Sequence, residues 1–494
     1  MRAGWIGAGA GCCTLFAAGA ARADGGAFPT IERLSFSPTD PDVVVAAATY
    51  GVLLSRDHGR TWSYLCPAAL GIPPLADAFP KLEITAAGAL LATTSPFPSA
   101  GGLDRSTDFG CNWSCASTAF LLSEFDVAVR PDAPHSAVAL VAPEVVTDGG
   151  RLPMQLLQSA DDGATWSALG APIDATAFGT EVAVAPSDPQ RLYVAAVRGF
   201  APTRTASVFA STDGGARWVE HTIPWFDGGS ENSIGIAAVD PADPNRVYLT
   251  STATLGGGGG TTAIYLTTDG AASFAAMATF SVPSSGPAFP GERAALALSR
   301  DGSKIYAGTT QDGFFVGLRG DTTLRKTSKL GVSCLATHGA ELWACSQVFS
   351  SAPIGPSFVV GVSTDDGATF VPKLPQHVSV SGPLACAPNP GGAVACNAQQ
   401  NGAACFDDFV NFCNAFSSPT ATCGDGGTPD AGVQGGAEGG AGDAGRATVP
   451  GGATRAGCSC STSQRDGGAS AAALALLGIG APVARRVARR RRSA

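Results

Sequence analysis

Short apolar runs alternate with turn residues along the chain, and the body lacks the sustained spacing of about 3.6 residues that marks an amphipathic helix. One unit opens with the alternating stretch 33–37, passes through the Pro- and Asp-rich segment 38–42 and continues in the β-branched run 43–45. Pro fixes φ and Asp bonds the local backbone in such a segment, so the pattern predicts two strands joined by a tight turn. The same order recurs at residues 182–194, 238–249 and, in a degenerate form, 298–307.

A second pattern, S-x-D-x-G-x-x-[WF], follows farther along each unit, and we call this segment the octet. It begins at Ser55, Ser106, Ser159, Ser211 and Ser363, with a weaker copy at Thr267 that has Ala271 in place of Gly. The octet Asp can accept hydrogen bonds from nearby backbone N–H groups, and the Gly can take the positive φ of a turn. The closing aromatic begins the next strand and is large enough to fill the gap between two stacked sheets. We therefore predict a structural role for the octet carboxylates, which are those of Asp57, Asp108, Asp161, Asp213, Asp269 and Asp365.

The spacing of the octets predicts the architecture. They begin at residues 55, 106, 159, 211, 267 and 363, so the steps are 51, 53, 52, 56 and 96 residues, and one octet is lost near 314–321. A period of about 50 residues built of short strands is typical of a propeller blade rather than a helical solenoid. Residues 24–423 are thus expected to form an all-β, seven-bladed propeller of four-stranded antiparallel blades. The segment 384–416 either closes the ring with the N-terminal strand or forms an incomplete eighth blade, and we favour seven.

The octet resembles the Asp-box, or BNR repeat, of sialidase-like β-propellers, and five full copies make that resemblance specific. Sialidases also carry an Arg-Ile-Pro-like motif before the first box, three spaced Arg residues and a Tyr/Glu nucleophile pair. Between the leader and the first octet the only Arg is Arg33, which is followed by Leu-Ser, and the whole chain has six Tyr. The resemblance therefore implies the fold, while sialidase activity is not expected.

Composition supports an exported β-protein and excludes one class of partner. The chain has 494 residues, with 64 Gly, 34 Pro and only 14% charged residues. The formal net charge is −9. Because the first 23 residues carry +2 and the last 37 carry +6, the body between them carries −17. Nucleic-acid binding needs a basic face, so we predict no nucleic-acid partner.

The two ends of the chain read as export signals. Residues 1–23 have a basic start, a small-apolar run and an Ala-Arg-Ala cleavage site, which predicts a signal peptide. Residues 424–457 are Gly/Ala-rich and are expected to form a flexible, disordered linker. Residues 458–494 contain Cys458, Cys460, a short apolar segment and an Arg cluster. That order resembles the MYXO-CTERM sorting signal of exported myxobacterial proteins, which implies processing at Cys458 and Cys460 by a sorting machinery at the cell surface. The alternative is a marginal single-pass anchor, so any membrane contact is assigned to this segment.

The ten cysteines between the predicted leader and tail suit disulfides in an oxidising compartment. Cys334 and Cys345 flank one hairpin, and Cys386 and Cys396 repeat the arrangement. Cys66 is expected to pair with either Cys111 or Cys115. No His accompanies these cysteines at ligand spacing, so we predict no metal site and no cofactor, with Ca²⁺ as the one ion left open.

In a propeller, the loops from each fourth strand to the next first strand and from each second strand to the third share one face, which we call the long-loop face because these loops are long here. Acidic residues recur at or just before the first strand of successive units, where they would ring the mouth of the central channel on that face. They are Glu32, Glu83, Glu124, Asp126, Glu181, Glu231 and Glu292. Such a ring would attract a cation or a polar, sugar-like ligand, and its members would raise one another's pKa. The alternative is that they are solvated residues that protect strand edges.

From these features we expect an exported, surface-associated binding module that contacts a glycan, peptide or protein on the long-loop face and has no catalytic activity. The first alternative is a glycoside hydrolase or lyase with paired carboxylates at the channel mouth, because that chemistry needs only two suitably spaced acids. A structural protein of the cell envelope is the third.

Overall fold

The computed structural model describes residues 31–48, 51–65, 80–93, 103–115, 122–143, 153–174, 176–199, 204–223, 233–255, 259–282, 293–346, 358–375 and 380–384. Within these ranges every regular element is a β-strand. The predicted leader 1–23, linker 424–457 and tail 458–494, with Cys458 and Cys460, lie outside the described residues.

The strands form seven consecutive groups of four and one additional strand. Blades 1 and 2 contain β1 (Ile31–Phe36), β2 (Val44–Ala48), β3 (Gly51–Ser55), β4 (Trp62–Leu65), β5 (Lys81–Ile84), β6 (Leu90–Thr93), β7 (Leu103–Ser106) and β8 (Ser114–Cys115). Blades 3 and 4 contain β9 (Leu122–Arg130), β10 (Ala133–Pro143), β11 (Gln155–Ser159), β12 (Ser167–Leu169), β13 (Ala177–Ala185), β14 (Asp188–Arg198), β15 (Thr205–Ser211) and β16 (Val219–Thr222). Blades 5 to 7 contain β17 (Ser233–Val239), β18 (Val247–Leu255), β19 (Gly259–Thr267), β20 (Ala275–Val282), β21 (Ala295–Leu298), β22 (Lys304–Thr309), β23 (Gly313–Leu318), β24 (Arg325–Ser328), β25 (Cys334–His338), β26 (Glu341–Cys345), β27 (Val360–Ser363) and β28 (Val371–Leu374). The last strand is β29 (Val380–Pro383).

Each blade is an antiparallel meander in which strands pair in chain order. The first strand of every blade lies against the first strands of the blades on either side, and β25 of blade 7 lies against β1 of blade 1. Seven first strands therefore surround one central axis, as in a β-propeller. The predicted all-β, seven-bladed fold is confirmed.

The octet forms the corner between the third and fourth strands. In blade 3 the Ser159 hydroxyl donates to Asp161 Oδ1 at 2.8 Å and accepts from the Gly163 N–H at 2.9 Å. Asp161 also accepts from the backbone N–H and the hydroxyl of Thr165, at 2.9 and 2.7 Å. These bonds favour the ionised form and lower the pKa of Asp161 to about 2. Equivalent bonds surround Asp57, Asp108, Asp213, Asp269 and Asp365.

The octet glycine also makes contact between blades. Gly163 has a φ of +77°, and a Cβ there would lie 2.3 Å from Leu91 Cδ2 in blade 2. A Cβ on Gly367 would similarly lie 2.3 Å from Phe314 Cε1 in blade 6. Only Gly satisfies both the left-handed φ and the close approach without strain. The weaker copy keeps the left-handed conformation with a side chain, since Ala271 has a φ of +82°.

Blade 6 has a corner that lacks the octet. Strand β23 occupies residues 313–318, so the turn lies at 319–324, at the end of the segment where the lost octet was expected. Asp321 Oδ2 accepts from the Leu318 N–H at 2.7 Å. Arg319 Nε lies 3.0 Å from Asp240 Oδ2 of blade 5, a carboxylate with no solvent exposure. A charge pair between blades therefore lies at the corner where the octet is missing.

Blade 1 uses four consecutive strands, so the ring closes through contacts between blades 1 and 7. The Ser333 hydroxyl, just before β25, donates to the Ile31 carbonyl at 2.8 Å. Strand β29 pairs in parallel with β4 and adds a fifth strand to the outer edge of blade 1. This added strand, which we call the clasp, ends at Pro383, directly before the predicted closure segment 384–416. Nearly all of that segment lies outside the described residues.

The hairpin of blade 7 contains a disulfide between the two cysteines that the sequence placed on its two sides. Cys334 and Cys345 are directly opposite in the β25–β26 ladder and are bonded, with a Cα–Cα distance of 4.8 Å. Cys111 is also disulfide-bonded. Cys66, Cys386 and Cys396 lie outside the described residues.

We predict that Ser159→Ala lowers the free energy of unfolding by about 1–3 kcal/mol, because the buried Gly163 N–H loses its acceptor. Denaturant unfolding monitored by Trp fluorescence measures this loss. Ser167→Ala makes the same chemical change at an exposed position of β12 and should cost less than about 0.5 kcal/mol. Equal midpoints for the two variants would contradict the assigned role of the octet hydroxyl.

Candidate functional site

The first strands bring a set of charged side chains together at one end of the central channel. Strand β1 runs from that end toward the octet corners, and the other first strands run in the same sense by the repeat of the topology. We define the channel mouth by seven residues, Glu32, Arg33, Lys81, Glu83, Asp126, Glu181 and Arg293. The first six lie in the first strands of blades 1 to 4, and Arg293 lies two positions before β21, the first strand of blade 6.

β-Bulges help to aim these side chains. The register between the first and second strands slips by one residue at Glu32 in β1, at Phe125 in β9 and at Thr180 in β13. A bulge leaves one residue unpaired and twists the strand, which turns local side chains in a new direction. In β1 the unpaired residue is Glu32 itself, and in β9 and β13 it directly precedes Asp126 and Glu181.

Arg33 joins two carboxylates of neighbouring blades. Its guanidinium is paired with Glu83 of blade 2 and lies 3.3 Å from Asp126 Oδ1 of blade 3. The second oxygen of Asp126 accepts from the Val182 N–H of blade 4 at 3.0 Å. Burial raises the pKa of both Glu83 and Asp126, although Arg33 acts in the opposite direction. Four adjacent blades are thus linked by one chain of polar contacts.

Glu181 is held in its ionised form by two cations. Lys81 Nζ lies 3.2 Å and Arg293 Nη1 2.5 Å from Glu181 Oε1, and the Ile236 N–H donates to Oε2 at 2.7 Å. Burial acts to raise the pKa of Glu181, but Lys81 and Arg293 outweigh it and lower this pKa to about 2. Glu181 is therefore a carboxylate across the working pH range.

Glu32 has the opposite character. Its side chain is exposed to the channel. Desolvation by the surrounding protein nevertheless disfavours the charged form and raises the pKa of Glu32 to about 7, against the opposing influence of Lys81 and Arg293. Both cations that bind Glu181 also act on Glu32, so the two acids share one site. Such a site, with one acid near pH 7 and one permanent carboxylate, suits general acid chemistry.

The structure brings four of the seven predicted acids together. Glu32, Glu83, Asp126 and Glu181 lie at the channel mouth. Glu124 lies in β9, opposite Val141 of β10, and its side chain is not described. Glu231 and Glu292 lie outside the described residues. A ligand-binding role for the set stays a prediction.

Three basic residues of the channel mouth were missed because only the acids were considered. Each basic side chain lies beside a predicted acid in sequence: Arg33 follows Glu32, Lys81 is two residues before Glu83, and Arg293 follows Glu292. A search for charge of either sign at strand starts would have found them. The mouth is consequently a mixed network of both charges, where a ring of carboxylates was expected.

A cavity of about 520 Å³ lies at the opposite end of the ring, between blades 6 and 7. Asp366 in its wall is already paired, since it accepts from Lys304 Nζ at 2.6 Å and from the Tyr306 hydroxyl at 2.7 Å. Asp301 in the same cavity has its pKa lowered by hydrogen bonds from Ser299 and Ser303.

Two further searches concern only the described part of the chain. There, no group of three or more His, Cys, Asp or Glu residues is arranged to hold a metal ion. Within the same ranges no helix has the length and apolar character that a membrane span requires.

No protein-family model and no curated protein matches the chain, but solved structures share its fold. A GH74 enzyme from Niastella koreensis is 15% identical, with 69% of this chain and 71% of that chain covered and a TM-score of 0.29. YCF48 from Cyanidioschyzon merolae is 16% identical, with 64% and 93% covered and a TM-score of 0.41. An α-L-arabinanase from Penicillium chrysogenum is 16% identical, with 54% and 87% covered and a TM-score of 0.34.

These structures correct one expectation. The matches also include a GH74 xyloglucanase from Xanthomonas campestris, an α-L-arabinofuranosidase from Fusarium graminearum and a sialidase, so most of those named here are glycan-cleaving enzymes. The preference for a non-catalytic binding module over a glycoside hydrolase is therefore wrong. At these identities the likeness itself concerns the fold alone, and the chemistry has to come from the residues of the channel mouth.

We predict that Arg33→Met lowers the free energy of unfolding by about 2–4 kcal/mol at pH 8, because Glu83 and Asp126 lose their shared cation. Without Arg33 the raised pKa values of these acids rise further, so the folded state gains protons and the loss shrinks as pH falls toward 5. Unfolding measured at both pH values tests this. Arg33→Lys keeps the charge and should lose less, and a loss independent of pH would argue against an electrostatic cause.

Proposed function

We propose that this protein is a glycoside hydrolase whose active site is the channel mouth. The observation that supports it best is the contrast between two acids that share the same two cations. Glu32 has a pKa of about 7 and is exposed to the channel, whereas Glu181 has a pKa of about 2 and is held by Lys81 and Arg293. Glycosidic hydrolysis uses one protonated and one ionised carboxyl group in this way.

In this mechanism Glu32 donates its proton to the glycosidic oxygen as the bond to the anomeric carbon breaks. Positive charge then develops on the sugar ring, and the Glu181 carboxylate stabilises it. A carboxylate with so low a pKa is a weak base, so Glu181 is better suited to stabilise or bond to the anomeric carbon than to deprotonate water. Water then adds to the anomeric carbon and gives its proton to the Glu32 carboxylate, which restores the acid and releases the second sugar product from Glu181. Lys81 and Arg293 hold the Glu181 carboxylate in place, and Asp126 and Glu83 belong to the same network of ion pairs through Arg33. Two carboxyl groups carry out this chemistry without a cofactor.

We further propose that the octets are Asp-box repeats with a structural role only. Each octet Asp is engaged by its own corner, at the end of the blade away from the channel mouth. Its hydrogen bonds are fully accounted for by the turn, which leaves these carboxylates no part in catalysis.

We also propose that the protein is exported and displayed at the cell surface or outer membrane, or released outside the cell, after processing of its C-terminal signal. The Cys334–Cys345 bond and the bonded Cys111 support an oxidising compartment. The predicted leader and Cys458–Cys460 tail support the route of export. A glycan is then the partner at the mouth, on the long-loop face.

We predict that Glu32→Gln lowers kcat/KM at least about 100-fold while glycan binding is kept, because the variant cannot donate a proton. A panel of chromogenic glycosides and neutral polysaccharides first identifies a substrate for the purified full chain, and reducing-end release then compares the variants. Glu220→Gln makes the same change on the outer strand of blade 4 and should leave activity unchanged. Full activity of the Glu32 variant, or no turnover on any member of the panel, would refute the proposal.

We predict that activity falls as pH rises through about 7, because Glu32 loses its proton there. Lys81 opposes protonation of Glu32, so Lys81→Met should raise this pKa and move the falling limb of the pH profile to higher pH. Profiles of kcat/KM between pH 4 and 9 test this. Lys304→Met removes a Lys from the opposite end of the ring and should leave the limb in place. A shift to lower pH in the Lys81 variant would contradict the assignment of the acid.

A further inference from the structure

The cations of the channel mouth are already bound to carboxylates of the same chain. Arg33 pairs with Glu83 and Asp126, and Lys81 and Arg293 both pair with Glu181. These carboxylates are well shielded, with side-chain exposures of 19%, 3% and 14%. A substrate carboxylate would have to compete with them for the same cations, and any group that it displaced would be unpaired in a poorly solvated site.

The net charge of the channel mouth also disfavours an acidic substrate. Four carboxyl groups face three cations, so the network is neutral when Glu32 is protonated and carries one negative charge when it is not. There is no excess positive charge to attract an acidic sugar.

The sequence around the mouth adds negative charge. The connecting stretches between residues 66 and 357 that the structure leaves undescribed contain one basic residue, Arg151, and six acidic ones. The acidic residues are Asp77, Glu144, Asp148, Asp227, Glu231 and Glu292. By topology most of these stretches join strands at the same end of the blades as the channel mouth. Their sequence therefore offers no surplus of basic residues that would attract an anionic polymer.

We propose that the substrate is an uncharged glycan, and that the ion pairs of the channel mouth exclude uronic and other acidic sugars. The inference rests on the proposed function and adds the chemical class of its substrate. Sugar hydroxyls can donate to the paired carboxylates and accept from the paired cations without breaking the pairs. An uncharged substrate also favours hydrolysis over elimination, because a lyase removes a proton made acidic by a neighbouring substrate carboxylate.

The test uses pairs of polysaccharides that differ in carboxylate content. Xyloglucan, β-glucan and galactan are each compared with their C6-oxidised forms, and polygalacturonate is compared with its carboxyl-reduced form. Binding to the full chain is measured by calorimetry at pH 6 and low salt, and cleavage by reducing-end release. We expect at least one neutral member to bind about tenfold or more tightly than its acidic partner and to be cleaved.

The other outcomes separate the two proposals. Equal or tighter binding of the acidic members overturns the uncharged class, while cleavage of any member leaves the hydrolase proposal standing. Selective binding of neutral members without cleavage supports the uncharged class and overturns the hydrolase proposal. Binding of no member overturns both.

A charge variant tests the cause of the selectivity. Glu181→Gln keeps an acceptor for the Ile236 N–H but frees Lys81 and Arg293, so affinity for acidic members should rise about tenfold or more. Glu220→Gln is the matched control, because Glu220 also pairs with an arginine, Arg198, at 2.9 Å on an outer strand. If Glu181→Gln does not fold, Glu83→Gln frees one arm of Arg33 and should give a smaller rise. No rise in a folded variant would overturn the proposed role of the pairs.

Discussion

A buried hydroxyl under each octet corner is the contact on which the ring depends. In blade 3 the Ser159 Oγ satisfies the Gly163 N–H and fixes the Asp161 carboxylate, which in turn holds the entry to the fourth strand. The corner glycine then lies directly against Leu91 of the preceding blade. A local turn therefore sets the distance between blades, and the repetition of that distance brings the first strands around one axis. The channel mouth exists because of this convergence.

Ion pairs stabilise the channel mouth, and a β-bulge in β1 changes the direction of its candidate acid. Glu83, Asp126 and Glu181 are mostly shielded from water, which disfavours their charged forms, and Arg33, Lys81 and Arg293 offset that cost to different degrees. Glu181 receives two cations and stays ionised, whereas Glu32 sits on a β-bulge, faces the channel and holds its proton near neutral pH. The division between acid and carboxylate thus follows from how the same two cations are shared.

The contact between blades 1 and 7 closes the ring, and the same part of blade 1 supplies residues to the channel mouth. Strand β1 supplies Glu32 and Arg33 to the mouth, and it also receives the Ser333 hydrogen bond from blade 7. On the outer edge, Trp62 Nε1 donates to the Lys373 carbonyl of blade 7 at 3.2 Å, and β29 covers β4. Because each of these two blades is built from four consecutive strands of its own, with the clasp β29 added at the outer edge of blade 1, the position of the candidate acid depends on the contacts between the blades and on this added strand.

The sequence by itself determined the fold and four of the acids at the mouth. The octet is a local motif, so its spacing predicted seven blades and the end of the ring on which the corners lie. The recurrence of acidic residues at strand starts separately predicted Glu32, Glu83, Asp126 and Glu181. The sequence also placed Cys334 and Cys345 on the two sides of one hairpin, and the structure shows that they are bonded to each other. Tertiary structure alone decided which charges meet, because Lys81 and Arg293 are more than 200 residues apart and converge on Glu181 only when the ring closes. Ionisation depends on burial and on neighbours from other blades, and neither quantity is a property of the local sequence.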